Sequence, residues 1–244
     1  MKVSRRLVIF AAVALGLGSS TWLAAAYAEH KFLSTGPNGP DTPATLGVPY
    51  HRVTIASSSR RLDGYLVEAA RTCASPAAVL IFHGVGETIS YWAKAQKLLY
   101  DRCVSSLVFD YSGHGASSQP GTVRNLNGDA LAAYAFFTSR FDGMTRRCVL
   151  GHSMGNGAML AAIAQFQPRP SCVVIANAFS SLRDLAARSG TPRFVLYFIP
   201  DDWNNVINVA DVHVPLLVVT SDADSVNPAA MGKRIFDAAA QPKR

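Results

Sequence analysis

Five residues in the middle of the chain, Gly151-His152-Ser153-Met154-Gly155, carry the residue types for nucleophilic chemistry. A serine hydroxyl can attack an acyl carbon if the backbone holds it out and a neighbour takes its proton. The flanks supply the first condition. Cys148, Val149 and Leu150 read as a β-strand, and an Ala-rich helical stretch over 158–167 follows, so the chain must pass from strand to helix within a few residues. Glycine at 151 and 155 leaves room for such a turn, with Ser153 strained at its apex. The new helix aims its free N–H groups at the same point and favours negative charge there. A Gly-rich turn without chemistry has the same local look, so the neighbouring strand ends must decide.

Three of them bear on the question. His83-Gly84-Val85-Gly86 follows the apolar run 79–82, where a Gly-rich turn can lend a backbone N–H to an oxyanion. The expected donors are the N–H groups of Val85 and Met154, with His83, Gly84, Gly151 and Gly155 in support. Asp110-Tyr111-Ser112-Gly113-His114-Gly115-Ala116-Ser117 follows the next strand and reads as a supporting turn with no catalytic role. Ser221-Asp222-Ala223-Asp224-Ser225-Val226-Asn227-Pro228 closes the last strand, and a carboxylate there can orient an imidazole and stabilise its charged form. Asp222 and Asp224 are both candidates, and either can instead hold an Asx turn or cap the helix after Pro228.

These turns need a frame that brings strand ends together. Residues 51–56 and 61–68 alternate apolar and polar around Ser57-Ser58-Ser59 and predict an opening β-hairpin. Strand and helix signals then alternate: strand 79–82, helix 89–102, strand 106–109, helix 126–140, the strand before Gly151 and its helix, then strands 172–175 and 216–219. Short, wholly apolar β runs separated by helices predict a mostly parallel sheet covered on both faces, a three-layer α/β/α fold with ligands at the carboxyl ends of the strands. Residues 180–211 interrupt the alternation. The apolar run 194–199 within them suits either a small cap lining an acyl pocket or a buried packing helix.

The chain of 244 residues fits one domain, and its 49% hydrophobic and 16% charged residues are a globular composition. Lys2, Arg5 and Arg6 precede a charge-free run over 7–28 that ends Ala26-Tyr27-Ala28, the pattern of an export signal, while its length also suits an uncleaved membrane anchor. The protein is therefore expected to be exported, or held at a membrane through residues 7–28. Residues 29–49, with Gly36-Pro37-Asn38-Gly39-Pro40, read as a linker, and 50–244 as the folded domain. Three of the cations behind the net charge of +7 lie in the export segment, leaving a dispersed +4 without the basic, aromatic-interleaved stripe of a nucleic-acid binder. Each of the four cysteines stands before or at the start of a strand, so Cys73 with Cys103 and Cys148 with Cys172 are the preferred disulfides, against four buried thiols. No His and Cys cluster has metal-ligand spacing, and neither metal nor organic cofactor is implied.

Taken together, His83-Gly84, Asp110-Tyr111-x-Gly113-x-Gly115-x-Ser117, Gly151-His152-Ser153-Met154-Gly155 and Ser221-x-x-Asp224 resemble the α/β hydrolases, in the branch of serine aminopeptidase-like, monoacylglycerol-lipase-like and depalmitoylase-like enzymes. The resemblance spans residues 50–244 and selects Asp224 over Asp222, because the family's Gly-x-x-Asp precedes Val and Pro as Val226 and Pro228 stand here. It implies a serine hydrolase acting on carboxylic ester, acylglycerol or thioester bonds of a small acyl ester or lipid-like substrate. Alternatives are a non-catalytic binding protein on the same fold, or a peptidase. One departure stands out. The family's catalytic histidine follows an eighth strand about 25 to 35 residues beyond the acid, whereas this sequence runs 20 residues past Asp224 and has no histidine after His213. It reads as cut short before that strand. His213 precedes the last strand, at the opposite end of the sheet. His30 and His51 precede or begin the fold, His152 should point away across the turn, and His83 and His114 belong to supporting turns. Without a base the serine is expected to be nearly inert.

Overall fold

Among the described residues seven strands form one sheet in the order β1-β2-β4-β3-β5-β6-β7. The computed structural model describes residues 33–74, 76–197 and 199–244, so the export segment and Phe198 lie outside the described residues. The hairpin is β1 (His51–Ser57) and β2 (Arg60–Val67), antiparallel to each other and to β4. The strands β3 (Ala77–Phe82), β4 (Val104–Phe109), β5 (Arg147–His152), β6 (Cys172–Ala176) and β7 (Leu216–Val219) are parallel. This is the mostly parallel arrangement, with an opening hairpin, that the alternation of apolar runs implies.

Two-residue alternation divides the core between the faces of the sheet. Leu80, Phe82, Leu107, Phe109, Val149, Val173 and Ile175 face one way. They meet the buried sides of α2 (Val123–Arg140), α3 (Gly155–Ala162) and α7 (Ala229–Ala238), through Phe137, Met159 and Ile235 among others. On the other face, Val79, Ile81 and Val108 form a smaller cluster with Ile89, Trp92 and Leu99, the last from α1 (Ala93–Tyr100). Toward β7 this second face opens: Leu217 and Val219 are 41% and 44% exposed.

Local chemistry shifts two helix starts from their expected places. Thr122 caps α2 by accepting the Asn125 N–H at 3.1 Å, so that helix begins three residues before Leu126. The expected helix 89–102 opens as a 3₁₀ turn, Ile89–Trp92, whose first N–H, that of Ile89, is held by the Asp110 carboxylate at 3.0 Å. Between β6 and β7 lie three short helices, α4 (Leu182–Arg188), α5 (Arg193–Leu196) and α6 (Asn205–Asn208). The apolar run 194–199 divides within them. Ile199 is fully buried, while Phe194 and Tyr197 are 74% and 82% exposed.

At both ends of the described chain the backbone is fastened. Residues 33–48, read from sequence as linker, bury Leu33 and Val48, and the Ser34 carbonyl accepts the Gly86 N–H at 2.8 Å. Beyond β7, where the sequence reading takes an eighth strand to be missing, residues 242–244 run parallel to β7 through a Leu216–Lys243 bridge and three main-chain hydrogen bonds of 2.9 to 3.0 Å.

Both expected disulfides are formed, Cys73 with Cys103 and Cys148 with Cys172, with Cα separations of 5.7 and 4.7 Å. The second joins residues directly opposite each other in β5 and β6, at the far end of the sheet from Ser153. Closing its 24-residue separation in the unfolded chain is worth about 3 kcal/mol. Replacing both Cys148 and Cys172 with Ala should therefore lower the free energy of unfolding in urea by about that amount. An unchanged midpoint would show that the bond does not constrain the unfolded state.

Candidate active site

Strand register assembles the site. Phe82 on β3 pairs with Gly151 on β5, His152 pairs with Ala176 on β6, and Ala176 pairs with Val219 on β7. The turns leaving these strands therefore emerge side by side: 83–86, 153–155, Asn177 and the loop containing Asp224. The strand-to-helix turn has the strain its sequence implies. Ser153 sits at φ +49°, in the left-handed region that costs a non-glycine residue of order 1 kcal/mol. Glycine on either side is obligatory. A Cβ on Gly155 would overlap the Phe82 carbonyl oxygen, and one on Gly151 would overlap the Asn156 side-chain oxygen.

Hydrogen bonds fix the bend. The Ser153 N–H donates to the Ala176 carbonyl at 3.0 Å, and the Asn156 side-chain amide donates to the Ser153 and Ala176 carbonyls at 3.1 and 3.0 Å. In the turn after β3 the amides on either side of Val85 are occupied. Gly84 donates to Glu87 Oε2 at 2.7 Å and Gly86 to the Ser34 carbonyl. Among the described residues neither the Val85 nor the Met154 N–H is drawn into a turn or side-chain hydrogen bond. The two expected oxyanion donors are thus the uncommitted amides of two adjacent turns.

Asp224 occupies the loop beyond β7 as expected, and first serves that loop. Its Oδ1 accepts the Val226 and Asn227 N–H groups at 2.9 and 2.8 Å. Asn227, which the sequence reading passes over, completes the link to the serine. Its buried side-chain amide donates to Ser153 Oγ at 3.3 Å and to the Asn177 carbonyl at 3.0 Å. Asp222 is exposed. Nothing in the residue type at 227 signals this contact, because it depends on how the loop folds back over β6.

The histidines have other partners. The His83 ring is fully buried against Tyr111 and His114, with Nδ1 2.9 Å from the Gly84 carbonyl and Nε2 3.4 Å from Asp110 Oδ1. His152 turns away from Ser153, as expected. Its ring packs edge-on to Trp92, and Nδ1 stands 3.3 Å from Glu87 Oε1, at ion-pair distance without the alignment of a hydrogen bond. His213 lines a small crevice with Ile163 and Arg169, near the start of β7.

Burial and charge set the protonation of two of these groups. Burial alone would raise the Glu87 carboxyl, but His152, the Trp92 indole N–H and the Gly84 N–H outweigh it and bring the pKa down to about 2. His114 moves the other way from an ordinary imidazole. Burial, reinforced by His83, lowers it from 6.5 to about 4, so the ring is neutral at pH 7. The unfolded chain binds this proton first on acidification. The stability that neutral His114 contributes is complete above pH 6.5 and is lost as the pH falls toward 4, by about 3 kcal/mol in all. Thermal unfolding should show this slope, and His114→Asn should flatten it. A slope identical in the variant would place its origin elsewhere.

With the geometry established, comparison with known proteins gives a consistent picture. The family model described as serine aminopeptidase, S33, matches residues 74–198, just over half of the chain. An uncharacterized protein of Mycobacterium tuberculosis is 28% identical over 214 residues, covering 87% of this chain and 75% of its own. The lysophosphatidylserine lipase ABHD12 of Danio rerio is 27% identical over 184 residues, 68% of this chain and 48% of the lipase, so the chain spans about half the length of that relative. Among solved structures, Pyrococcus furiosus esterase Pf2001 superposes with a TM-score of 0.68 at 18% identity over 86% of each chain. Est1E of Butyrivibrio proteoclasticus, solved with ferulic acid bound, gives 0.63 at 16% identity over 79% of this chain and 87% of its own. Fold and strand-end motifs agree with the matched family model, and the chain belongs to the serine aminopeptidase S33 family of α/β hydrolases.

Proposed function

We propose that this protein is a serine ester hydrolase in which Ser153 forms an acyl-enzyme. The observation that carries the reading is the pair of uncommitted amides, Val85 and Met154, on adjacent turns at a serine strained to φ +49°. Attack by Ser153 Oγ on an ester carbonyl carbon forms a C–O bond and moves negative charge onto the carbonyl oxygen, which these amides would stabilise. Collapse expels the leaving alkoxide, which takes up a proton. Water then attacks the acyl-enzyme to release the acid and restore the serine. The esterases and lipases among the similar proteins favour carboxylic esters, acylglycerols or other lipid-like esters over peptides.

The proton of Ser153 needs an acceptor. None of the described histidines is hydrogen-bonded to Ser153, whose side-chain partner is Asn227. Asp224 holds its own loop through Oδ1, which leaves Oδ2 for an imidazole, the role we assign to it. We infer that an imidazole lodged between Asp224 and Ser153 is what the site requires, and that this chain alone turns over slowly, on the order of 10⁴-fold or more below a complete triad.

Free imidazole in the assay tests this directly. A fluorophosphonate probe should label the chain slowly, faster and saturably with added imidazole, and not at all after Ser153→Ala. Asp224→Ala should remove the imidazole acceleration. Labelling that survives Ser153→Ala would refute the assignment, and no labelling under any condition would favour a non-catalytic binding protein on this fold. The two disulfides fit an oxidising, exported setting. Among the described residues no helix is long and apolar enough to cross a membrane, and residues 7–28 lie outside them.

A further inference from the structure

An oxyanion hole built from two turns works only if the turns keep a fixed spacing, since each donor must lie about 2.7 to 3.1 Å from one developing charge. β-sheet pairing aligns β3 and β5 as far as Phe82 and Gly151. The pairing stops there. Gly155 still packs against the Phe82 and His83 carbonyls, but among the described residues no backbone hydrogen bond ties residues 84–86 to the serine turn, so side chains must set their spacing from Met154.

Glu87 is placed to do so. Its Oε2 accepts the Gly84 N–H at 2.7 Å and the Trp92 indole N–H at 3.0 Å, while Oε1 lies 3.3 Å from Nδ1 of His152. Gly84 immediately precedes one proposed donor, and His152 immediately precedes the nucleophile. One carboxylate thus spans the two turns. The fit is close, for a Cβ on Gly84 would come within 3.1 Å of His152 Nδ1 and 3.2 Å of Glu87 Oε2. Trp92, packed edge-on against the His152 ring at 5.6 Å, holds the clamp from the α1 side.

We propose that Glu87 is a positioning residue that sets the distance between the two halves of the oxyanion hole, acting through Gly84 on one side and His152 on the other. The carboxylate stays ionised throughout the working pH range and takes no proton from substrate. Its effect falls on the rate of attack and not on binding, because the hole is used only once charge has moved onto oxygen. This inference rests on Ser153 being the nucleophile.

The test reads the fluorophosphonate reaction of the full chain with imidazole present, separating the maximal labelling rate from the half-saturating probe concentration. Glu87→Ala should lower the maximal rate at least about tenfold and leave half-saturation unchanged. Glu87→Gln keeps an oxygen for Gly84 and Trp92 and loses the charge facing His152, so it should recover part of that loss and leave the part carried through His152. Should Glu87→Ala melt below the assay temperature, the cycle of Glu87→Gln, His152→Ala and the double variant carries the test: the two effects should overlap instead of adding. Full-rate labelling in Glu87→Ala, or additive effects in the cycle, overturns the proposal while the serine hydrolase reading stands. Labelling that persists in Ser153→Ala overturns that reading itself.

Discussion

Everything at the candidate site depends on one steric constraint, the bend at Ser153. Turning a strand into a helix inside three residues forces the serine to φ +49° and presses residue 155 against the carbonyl that ends β3. The bend holds because the Ala176 carbonyl and the Asn156 amide take up backbone groups that the turn would leave unpaired. Strand pairing on either side of β5 then delivers the other participants. From β3 comes a turn whose flanking amides are already bound, and from β7 a loop closed on its own aspartate. The centre of the sheet is thus a jig: strand pairing sets the positions, and side-chain hydrogen bonds to the backbone hold the turns that leave it.

Charge in this region follows from burial. His83, His114 and Tyr111 are sealed together with Asp110 beneath the turn after β3, where burial above all disfavours a charge on His114, and that ring stays neutral at pH 7. Asp110 spends one oxygen on the Ile89 N–H, which starts the turn leading into α1. The motif around Asp110 also braces the turn after β3, where the Tyr111 hydroxyl donates to the His83 carbonyl at 3.1 Å. Glu87 lies nearer the surface, where burial would raise its carboxyl, but His152 beside it and the N–H groups of Trp92 and Gly84 keep it ionised.

Much of this was legible in the sequence. Each parallel strand shows as an apolar run, and the glycines at 151 and 155 mark the turn because no other residue fits there. The cysteines at strand starts marked neighbouring strands. What was not legible depends on where loops go after they leave the sheet. Asn227 reaches Ser153 only because the loop after β7 folds back, and Glu87 meets His152 only because β3 and β5 are neighbours. The run 194–199 was ambiguous for a physical reason: apolar residues without a period fix neither a buried nor an exposed face, and the chain uses both. The linker reading of 29–49 missed the Ser34 carbonyl because a main-chain acceptor has no residue signature.

The bond between Cys148 and Cys172 has a meaning beyond cross-linking. The two residues are exact cross-strand neighbours in β5 and β6, and side chains on a strand change face with every step. Sliding β6 by one residue would put the sulfurs on opposite sides of the sheet and move Ala176, whose carbonyl anchors the serine, out of line with His152. Oxidation at one rim of the sheet therefore works as a proofreading step for alignment at the other: a chain that has closed this bridge has the strand leading to Ser153 in frame.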